Sequence, residues 1–213
     1  MKLLFFGDSI TEAVRNSSEN ATLDRLGCGY VLQIAGRLYE KSPVAYEVVN
    51  RGIAGHRVTD LYARIYEDCW SEKADLITVL VGVNDIFHET LRPYGTEPER
   101  FERIYRMLIE DTQKRLPHTK FILCEPFILH GSVTDRKYEA FAGVCEYARI
   151  VKALAKEYRL YFLPLQNAIS DAAAQYGNET VLSDGVHPTV QGAVIIAREW
   201  MKLFEQIEKE KTI

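Results

Sequence analysis

The stretch Leu3-Leu4-Phe5-Phe6-Gly7-Asp8-Ser9, near the start of the chain, is a short apolar run that ends in small polar residues. Four consecutive apolar residues are typical of a strand in a parallel sheet that is covered on both faces. Gly7-Asp8-Ser9 suits a tight turn. Open α/β sheets bind ligands outside the carboxyl ends of their strands. The stretch therefore predicts a central strand with Ser9 in a ligand-binding position, although the tripeptide is also ordinary turn chemistry.

Further segments along the chain repeat this pattern, and helical periodicity separates them. The additional strands are predicted over residues 45–50, 75–81, 120–124 and 161–165. Five strands that alternate with helices predict an α/β fold, a three-layer α/β/α sandwich with a five-stranded parallel sheet. Right-handed crossovers favour the flavodoxin-like order 2-1-3-4-5. No repeat or linker-like segment interrupts residues 1–213, so we expect a single domain.

Two local expectations concern the segment between residues 85 and 99. Thr96 and Glu99 have the spacing of a capping box, and Pro98 is acceptable in a first helical turn. After residue 85 the chain is expected to form a loop that contains Pro93 and Gly95, and His88 is expected to be an exposed histidine in that loop.

Composition narrows the class of protein. The chain has 213 residues, of which 47% are hydrophobic and 26% charged, as in an ordinary globular protein. The formal net charge of −4 argues against a nucleic-acid partner. No apolar run reaches the roughly 20 residues of a membrane span, and the N-terminal apolar run is too short for a secretory signal. We therefore expect a cytoplasmic protein with no membrane association.

The four cysteines are scattered along the chain, without a Cys-x-x-Cys pair or a histidine cluster of zinc spacing. We expect reduced and mostly buried thiols and no metal site. The residues concerned are Cys28, Cys69, Cys124 and Cys145.

A base for Ser9 can be found near the end of the chain. A serine hydroxyl is a weak nucleophile unless an adjacent base takes its proton, and histidine has a suitable pKa of about 6.5. Asp184 and His187 are three residues apart, so one turn of chain can present both the base and a carboxylate that orients it. The alternative is that His187-Pro188 merely precedes a helix.

Attack on an ester also creates an oxyanion, which requires hydrogen-bond donors. Candidate donors are the backbone N–H groups of Ser9 and of a glycine, and the side-chain amide of Asn84. Gly52 and Gly55 could instead be turn glycines, and Asn84 could be a helix cap.

Four sequence blocks occur together in the order seen in one family of hydrolases. They are Gly7-Asp8-Ser9-Ile10-Thr11, Asn50-Arg51-Gly52-Ile53-Ala54-Gly55, Gly82-Val83-Asn84-Asp85 and Asp184-Gly185-Val186-His187. The chain resembles the SGNH hydrolases, also called GDSL esterases and lipases, from residue 3 to about residue 200. Each block is a weak signal by itself, whereas four blocks on a matching strand pattern are specific.

The resemblance implies a set of roles. Ser9 would be the nucleophile, His187 the general base and Asp184 its orienting partner. The backbone N–H groups of Ser9 and Gly55 and the Asn84 amide would form the oxyanion hole. No cofactor and no metal would be required.

The resemblance also favours one glycine and assigns minor roles to two acids. Gly55 is preferred to Gly52, because the family's donor is the later glycine. Asp8 and Asp85 would bond turn N–H groups rather than exchange protons.

A closer similarity concerns the substrate. Residues 26–31, 58–64 and 125–127 resemble the intracellular bacterial branch that includes acetylxylan esterases, which remove acetyl groups from sugars. That branch often carries a tryptophan after Asn-Asp, whereas this chain has Ile86-Phe87-His88, so the acyl pocket and the role of His88 stay open. Nearby aromatic residues could line a small acyl pocket or stack on sugars, but core packing is the simpler role for each; they are Tyr30, Trp70, Phe87 and Phe127.

The sequence thus predicts a serine esterase that hydrolyses short-chain, acetyl esters on sugars or oligosaccharides through an acyl-enzyme. Two alternatives stay open: a lysophospholipase or acyl-thioesterase of the same family, and a non-catalytic carbohydrate-binding domain on the same fold. The expected partner is a small ester or acetylated sugar, and the sequence leaves room for a homo-oligomer.

Overall fold

The computed structural model of the chain describes residues 1–18, 24–91 and 94–210. Its centre is a parallel five-stranded sheet with the order β2-β1-β3-β4-β5, which confirms the predicted order. The strands are β1 (Lys2–Gly7), β2 (Glu47–Gly52), β3 (Leu76–Leu80), β4 (Lys120–Cys124) and β5 (Tyr161–Leu163).

Strand β1 is an interior strand between β2 and β3, and its apolar side chains fill the core on both faces of the sheet. Leu4, Phe5 and Phe6 are completely buried. Gly7 at the end of β1 pairs with Gly52 of β2 and Leu80 of β3. The carboxyl ends of these three strands are therefore level, and the segments that follow them meet at one edge of the sheet.

Helices alternate with the strands along the chain and cover the sheet. They are α1 (Ser9–Glu12), α2 (Tyr30–Lys41), α3 (Val58–Ala63), α4 (Val83–Leu91), α5 (Pro98–Arg115), α6 (Tyr138–Phe141), α7 (Val144–Glu157), α8 (Gln166–Tyr176), α9 (Asn178–Val181) and α10 (Val190–Glu210). Helix α10 packs against α2 and α8, while α5 packs against α3 and α7. These two groups are the outer layers of the predicted three-layer sandwich.

The capping box predicted at Thr96 is wrong. Helix α5 begins at Pro98 after Glu97, and no side chain caps its first turn. Thr96 is buried instead, where its N–H donates to the Asp85 carbonyl at 3.2 Å and its own carbonyl accepts from the Tyr147 hydroxyl at 2.7 Å. These tertiary contacts draw Thr96 away from the helix end.

The loop predicted after residue 85 is also wrong in its first part. Residues 83–91 form helix α4, and His88 is a half-buried residue of that helix. Gly95 lies in the irregular connection to α5, and Pro93 lies outside the described residues.

Cysteine burial is mixed. All four cysteines are free, as expected, but only Cys69 and Cys124 are buried, while Cys28 and Cys145 are exposed. No helix in the described ranges combines the length and the apolar character that crossing a membrane demands.

Candidate active site

The turn at the end of β1 positions Ser9, the predicted nucleophile. Helix α1 begins at Ser9, and the Asp8 carboxylate caps it by accepting from the Ile10 N–H at 2.9 Å. An aspartate at the N-cap satisfies one of the free N–H groups of a first helical turn. Asp8 is thus occupied with the backbone, as predicted, and Ser9 is left half-buried at the sheet edge.

The structure brings the three predicted catalytic residues into one hydrogen-bonded chain. Ser9 Oγ lies 2.9 Å from His187 Nε2, and His187 Nδ1 lies 2.7 Å from Asp184 Oδ2. The carboxylate can only accept, so Nδ1 donates, and neutral His187 presents the Nε2 lone pair to the Ser9 hydroxyl. This arrangement can remove a proton from a serine as it attacks a carbonyl carbon.

Asp184 is held by backbone as well as by the imidazole. Its Oδ1 accepts from the N–H groups of Val186 at 2.9 Å and His187 at 2.8 Å. Burial alone would raise the pKa of Asp184, but the bonds from the His187 ring and from these two N–H groups outweigh it and lower the pKa to about 2. The Asp184 hydrogen bond raises the pKa of His187 above its ordinary 6.5, although partial burial opposes the rise. Asp184 therefore stays ionised and orients the His187 imidazole.

The loop of residues 129–135 supports the turn that carries Asp184 and His187. The Val133 N–H donates to the Asp184 carbonyl at 3.0 Å, and the Leu129 N–H donates to the Gly185 carbonyl at 2.9 Å. A Cβ on Gly131 would lie 2.3 Å from the Asp184 carbonyl carbon. The loop can approach this closely only because Gly131 has no side chain.

The two glycines of the second block have different environments. Gly52 is buried, and a Cβ there would lie 2.2 Å from the Glu12 N, so this glycine lets β2 pack against α1. Gly55 is exposed, has φ +77°, and would place a Cβ in open space. A glycine is needed at position 55 for the left-handed backbone conformation rather than for close packing. Gly52 is therefore structural, and Gly55 is the exposed glycine near the end of β2.

Asn84 is the second residue of α4, so it is not the cap of that helix. Its Nδ2 donates to the His56 carbonyl at 3.1 Å, which uses one of the two hydrogens of the amide. Among the described residues, neither the Ser9 N–H nor the Gly55 N–H has a protein acceptor. All three predicted oxyanion donors thus keep an N–H that can bind a ligand oxygen.

Asp85 connects the second and third blocks. It is fully buried, and both of its oxygens lie 3.2 Å from the Val58 N–H at the start of α3. Burial raises the pKa of Asp85 to about 7 and, in the same way, that of Asp8 to about 7. Asp85 bonds a backbone N–H, as predicted.

Two residues that hold the turn after β2 were not predicted. His88 Nε2 donates to the Gly55 carbonyl at 3.1 Å, and Arg64 Nε donates to His56 Nδ1 at 3.0 Å. The four-residue spacing of Asn84 and His88 would place them on one helix face, but the loop assignment concealed this signal. The sequence does not indicate the contacts of Arg64 with Gly7, Arg51 and His56, because these partners belong to other elements.

The four aromatic residues named above all contribute to core packing, with Trp70 and Phe87 only partly buried against the core. Tyr30 and Phe127 are buried, in agreement with core packing. The Trp70 Nε1 donates to Thr112 Oγ1 at 2.9 Å. Phe87 packs edge-on against His88 with ring centroids 5.7 Å apart.

The site is an open one. Five cavities on the described surface have volumes from about 370 to about 480 Å³, and Ser9, Asp184 and His187 line none of these five. The His187 side chain is 47% exposed. Within the described ranges, no group of three His, Cys, Asp or Glu side chains could hold a metal ion.

Comparisons with known proteins agree with this geometry. Residues 5–195 match the model of the GDSL-like lipase/acylhydrolase family. An acetylxylan esterase from Geobacillus stearothermophilus is 33% identical over 208 residues, which cover 94% of this chain and 92% of that protein.

Solved structures give the same result. A chain from Parabacteroides merdae described as a GDSL-like lipase superposes with a TM-score of 0.86 at 34% identity, covering 94% of both chains. Axe2, an acetylxylan esterase from Geobacillus stearothermophilus, superposes with a TM-score of 0.84 at 31% identity, covering 94% of this chain and 92% of that one. Similar structures include Axe2 catalytic mutants in which a serine, an aspartate or a histidine is replaced by alanine. The chain belongs to the GDSL-like lipase/acylhydrolase family.

Proposed function

We propose that the protein is a serine esterase that removes acetyl groups from sugars or oligosaccharides through an acyl-enzyme. The observation that carries the proposal is the unbroken chain from Ser9 Oγ through the His187 ring to Asp184, at 2.9 and 2.7 Å. A non-catalytic carbohydrate-binding domain would have no use for this alignment.

The proposed reaction has two halves. Ser9 Oγ attacks the ester carbonyl while His187 Nε2 takes its proton, and the tetrahedral intermediate collapses as His187 returns the proton to the departing sugar hydroxyl. Water then attacks the acetyl-Ser9 ester with His187 again as the base, which releases acetate and restores the hydroxyl. Asp184 keeps the imidazole in the required tautomer throughout.

The proposed oxyanion hole consists of the N–H groups of Ser9 and Gly55 and the Asn84 amide. Preorganised donors of this kind stabilise developing charge, and removal of one costs about 10² to 10³ in kcat. The left-handed turn at Gly55 and the bond from Asn84 to the His56 carbonyl support the assignment, because they fix donors on the two strand ends beside Ser9.

The choice of a short acyl group rests on the similarity to an acetylxylan esterase. The open surface around the half-exposed His187 suits a bulky alcohol such as a sugar chain. We further infer one catalytic domain over residues 1–213, and a cytoplasmic location from the four free thiols.

The test compares the wild-type protein with Ser9→Ala on acetylated xylo-oligosaccharides and on p-nitrophenyl esters of increasing chain length. We expect the wild type to prefer acetate, to release acetate from the sugars and to form one covalent phosphonate adduct, and the variant to show none of these. Equal activity in Ser9→Ala, with its fold checked by circular dichroism, would reject the mechanism. A maximum at eight carbons or more would instead favour the lysophospholipase or thioesterase alternative.

A further inference from the structure

Arg64, which follows α3, ties together the ends of the two strands that carry the proposed site. Its Nη2 donates to the Gly7 carbonyl at 2.9 Å, and its Nη1 donates to the Arg51 carbonyl at 2.8 Å. Gly7 is the last residue of β1, two positions before Ser9, and Arg51 lies at the end of β2. The guanidinium thus holds the two strand ends at a fixed separation.

The arginine side chain is only 10% exposed and has a charge partner. Nη1 also lies 2.8 Å from Asp68 Oδ2, and the guanidinium covers the Phe6 ring with its carbon 4.5 Å from the ring centroid. A buried arginine that is paired and hydrogen-bonded in this way has little freedom to move.

The remaining bond reaches the turn after β2, which we call the oxyanion turn (residues 53–56). Arg64 Nε donates to His56 Nδ1 at 3.0 Å. Arginine does not lose its proton, so Nδ1 must accept, and His56 is neutral with its hydrogen on Nε2. Partial burial and the nearby Arg64 charge both lower the pKa of His56, which favours this neutral form.

His56 is therefore held from two sides. Arg64 fixes its ring, and Asn84 Nδ2 fixes its carbonyl at 3.1 Å. Within the turn, the His56 N–H donates to the Ile53 carbonyl at 3.3 Å. The Gly55 N–H lies in the peptide that precedes Gly55, one peptide before His56, so a fixed His56 restricts where that N–H can point.

We propose that Arg64 is a positioning residue that, through His56, aims the Gly55 N–H at the oxyanion. The inference rests on the proposed function, since it requires the Gly55 N–H to act in the transition state. A group that orients a transition-state donor affects kcat more than KM.

The experiment measures kcat and KM on p-nitrophenyl acetate for Arg64→Met, His56→Ala and the double variant. Loss of one direct donor costs about 10² to 10³ in kcat, so we expect each single variant to lose about 10- to 100-fold, with KM within about twofold. Because both act through one contact, the double variant should be no slower than the slower single one. Arg106→Met is the matched control, since Arg106 forms ion pairs with Glu102 and Glu157 on the outer helices, and its kcat should not change.

A spectroscopic readout separates positioning from general support of the fold. In ¹⁵N NMR, His56 of the wild type should show the Nε2–H tautomer, and Arg64→Met should raise its titration midpoint. His56→Ala keeps Arg64 on both strand ends, so it stays informative if Arg64→Met fails to fold. Wild-type kcat in His56→Ala, or full multiplication of the two losses in the double variant, would overturn the inference. Unchanged activity in Ser9→Ala would instead overturn the proposed function itself.

Discussion

Two histidine–aspartate pairs lie in neighbouring loops of this protein, and they differ in what surrounds them. His187 Nδ1 bonds Asp184 at 2.7 Å, and His130 Nδ1 bonds Asp135 at 2.8 Å. The Nε2 of His187 faces Ser9 Oγ, whereas the ring of His130 stacks on Tyr138 with centroids 3.4 Å apart.

The carboxylates differ as much as the imidazoles. The Asp184 side chain is 22% exposed and accepts from two backbone N–H groups, while that of Asp135 is 58% exposed and accepts from the Gly131 N–H at 3.2 Å. An exposed pair is screened by water and contributes little to stability. The proposed catalytic role of the Asp184–His187 pair therefore depends on the hydroxyl that His187 faces and on how firmly the Asp184 carboxylate is fixed.

Removing each carboxylate in turn tests this difference between the two pairs most directly. Asp184→Asn should lower kcat on p-nitrophenyl acetate about 10⁴-fold, the loss that the analogous aspartate-to-asparagine change causes in serine proteases, because His187 loses its required tautomer. Asp135→Asn should stay within about twofold of the wild type. Steady-state kinetics on the two folded variants checks this, and a comparable loss in both would mean that the pairs act together.

The next largest effect is expected where the loop of residues 129–135 contacts the turn of residues 184–187. Gly131→Ala places a Cβ 2.3 Å from the backbone of Asp184, so the loops must separate. We expect the free energy of unfolding to fall by about 1 to 3 kcal/mol, with a loss of kcat as Asp184 shifts. Urea denaturation measures the free energy of unfolding, and steady-state kinetics measures kcat. Gly36→Ala is the control, because a Cβ there meets nothing within 4 Å. Wild-type stability and kcat in Gly131→Ala would contradict this account of the contact.

The third prediction concerns the dependence of protein stability on pH in the variants of Asp184 and Asp135. The pKa of folded Asp184 is about 2, below its ordinary 3.8, so its contribution is present above about pH 4 and is lost as the pH falls towards 2. We expect Asp184→Asn to remove about 1 to 2 kcal/mol of this pH-dependent stability, after allowance for solvent screening. Urea unfolding at several pH values between 6 and 3 gives the free energy of unfolding as a function of pH. This free energy should change less with pH in Asp184→Asn than in Asp135→Asn. The same pH dependence of stability in both variants would contradict the stabilisation of the Asp184 carboxylate by its hydrogen bonds.

The smallest effect concerns the pH dependence of the rate. His187 must be neutral to act as a base, and Asp184 raises its pKa, so kcat/KM should rise with pH through a midpoint above 6.5. The residual activity of Asp184→Asn should have a lower midpoint, because the carboxylate no longer favours the imidazolium. Asp135→Asn should leave the profile unchanged. A wild-type midpoint below 6.5 would contradict the shift.

Much of the fold could be predicted from local pattern. The apolar run before Gly7 and the alternation of strands with helices were sufficient for the sheet order, because a parallel sheet covered on both faces leaves few topologies. The errors occurred where tertiary contacts override local preference. Thr96 bonds Asp85 and Tyr147 instead of capping α5, and His88 lies in a helix where a loop was expected.

By itself, the sequence determined the strand order and which residue types stand at the strand ends, because these follow from hydrophobic period and turn chemistry. The sequence named His187 as the base for Ser9, but only the tertiary structure shows its Nε2 against Ser9 Oγ, because that contact joins residues 178 positions apart. The tertiary structure also decided that Gly52 packs against α1 while Gly55 stays exposed, and that Arg64 reaches both strand ends and His56. Local sequence cannot specify such contacts, since each depends on how separate elements pack around the core.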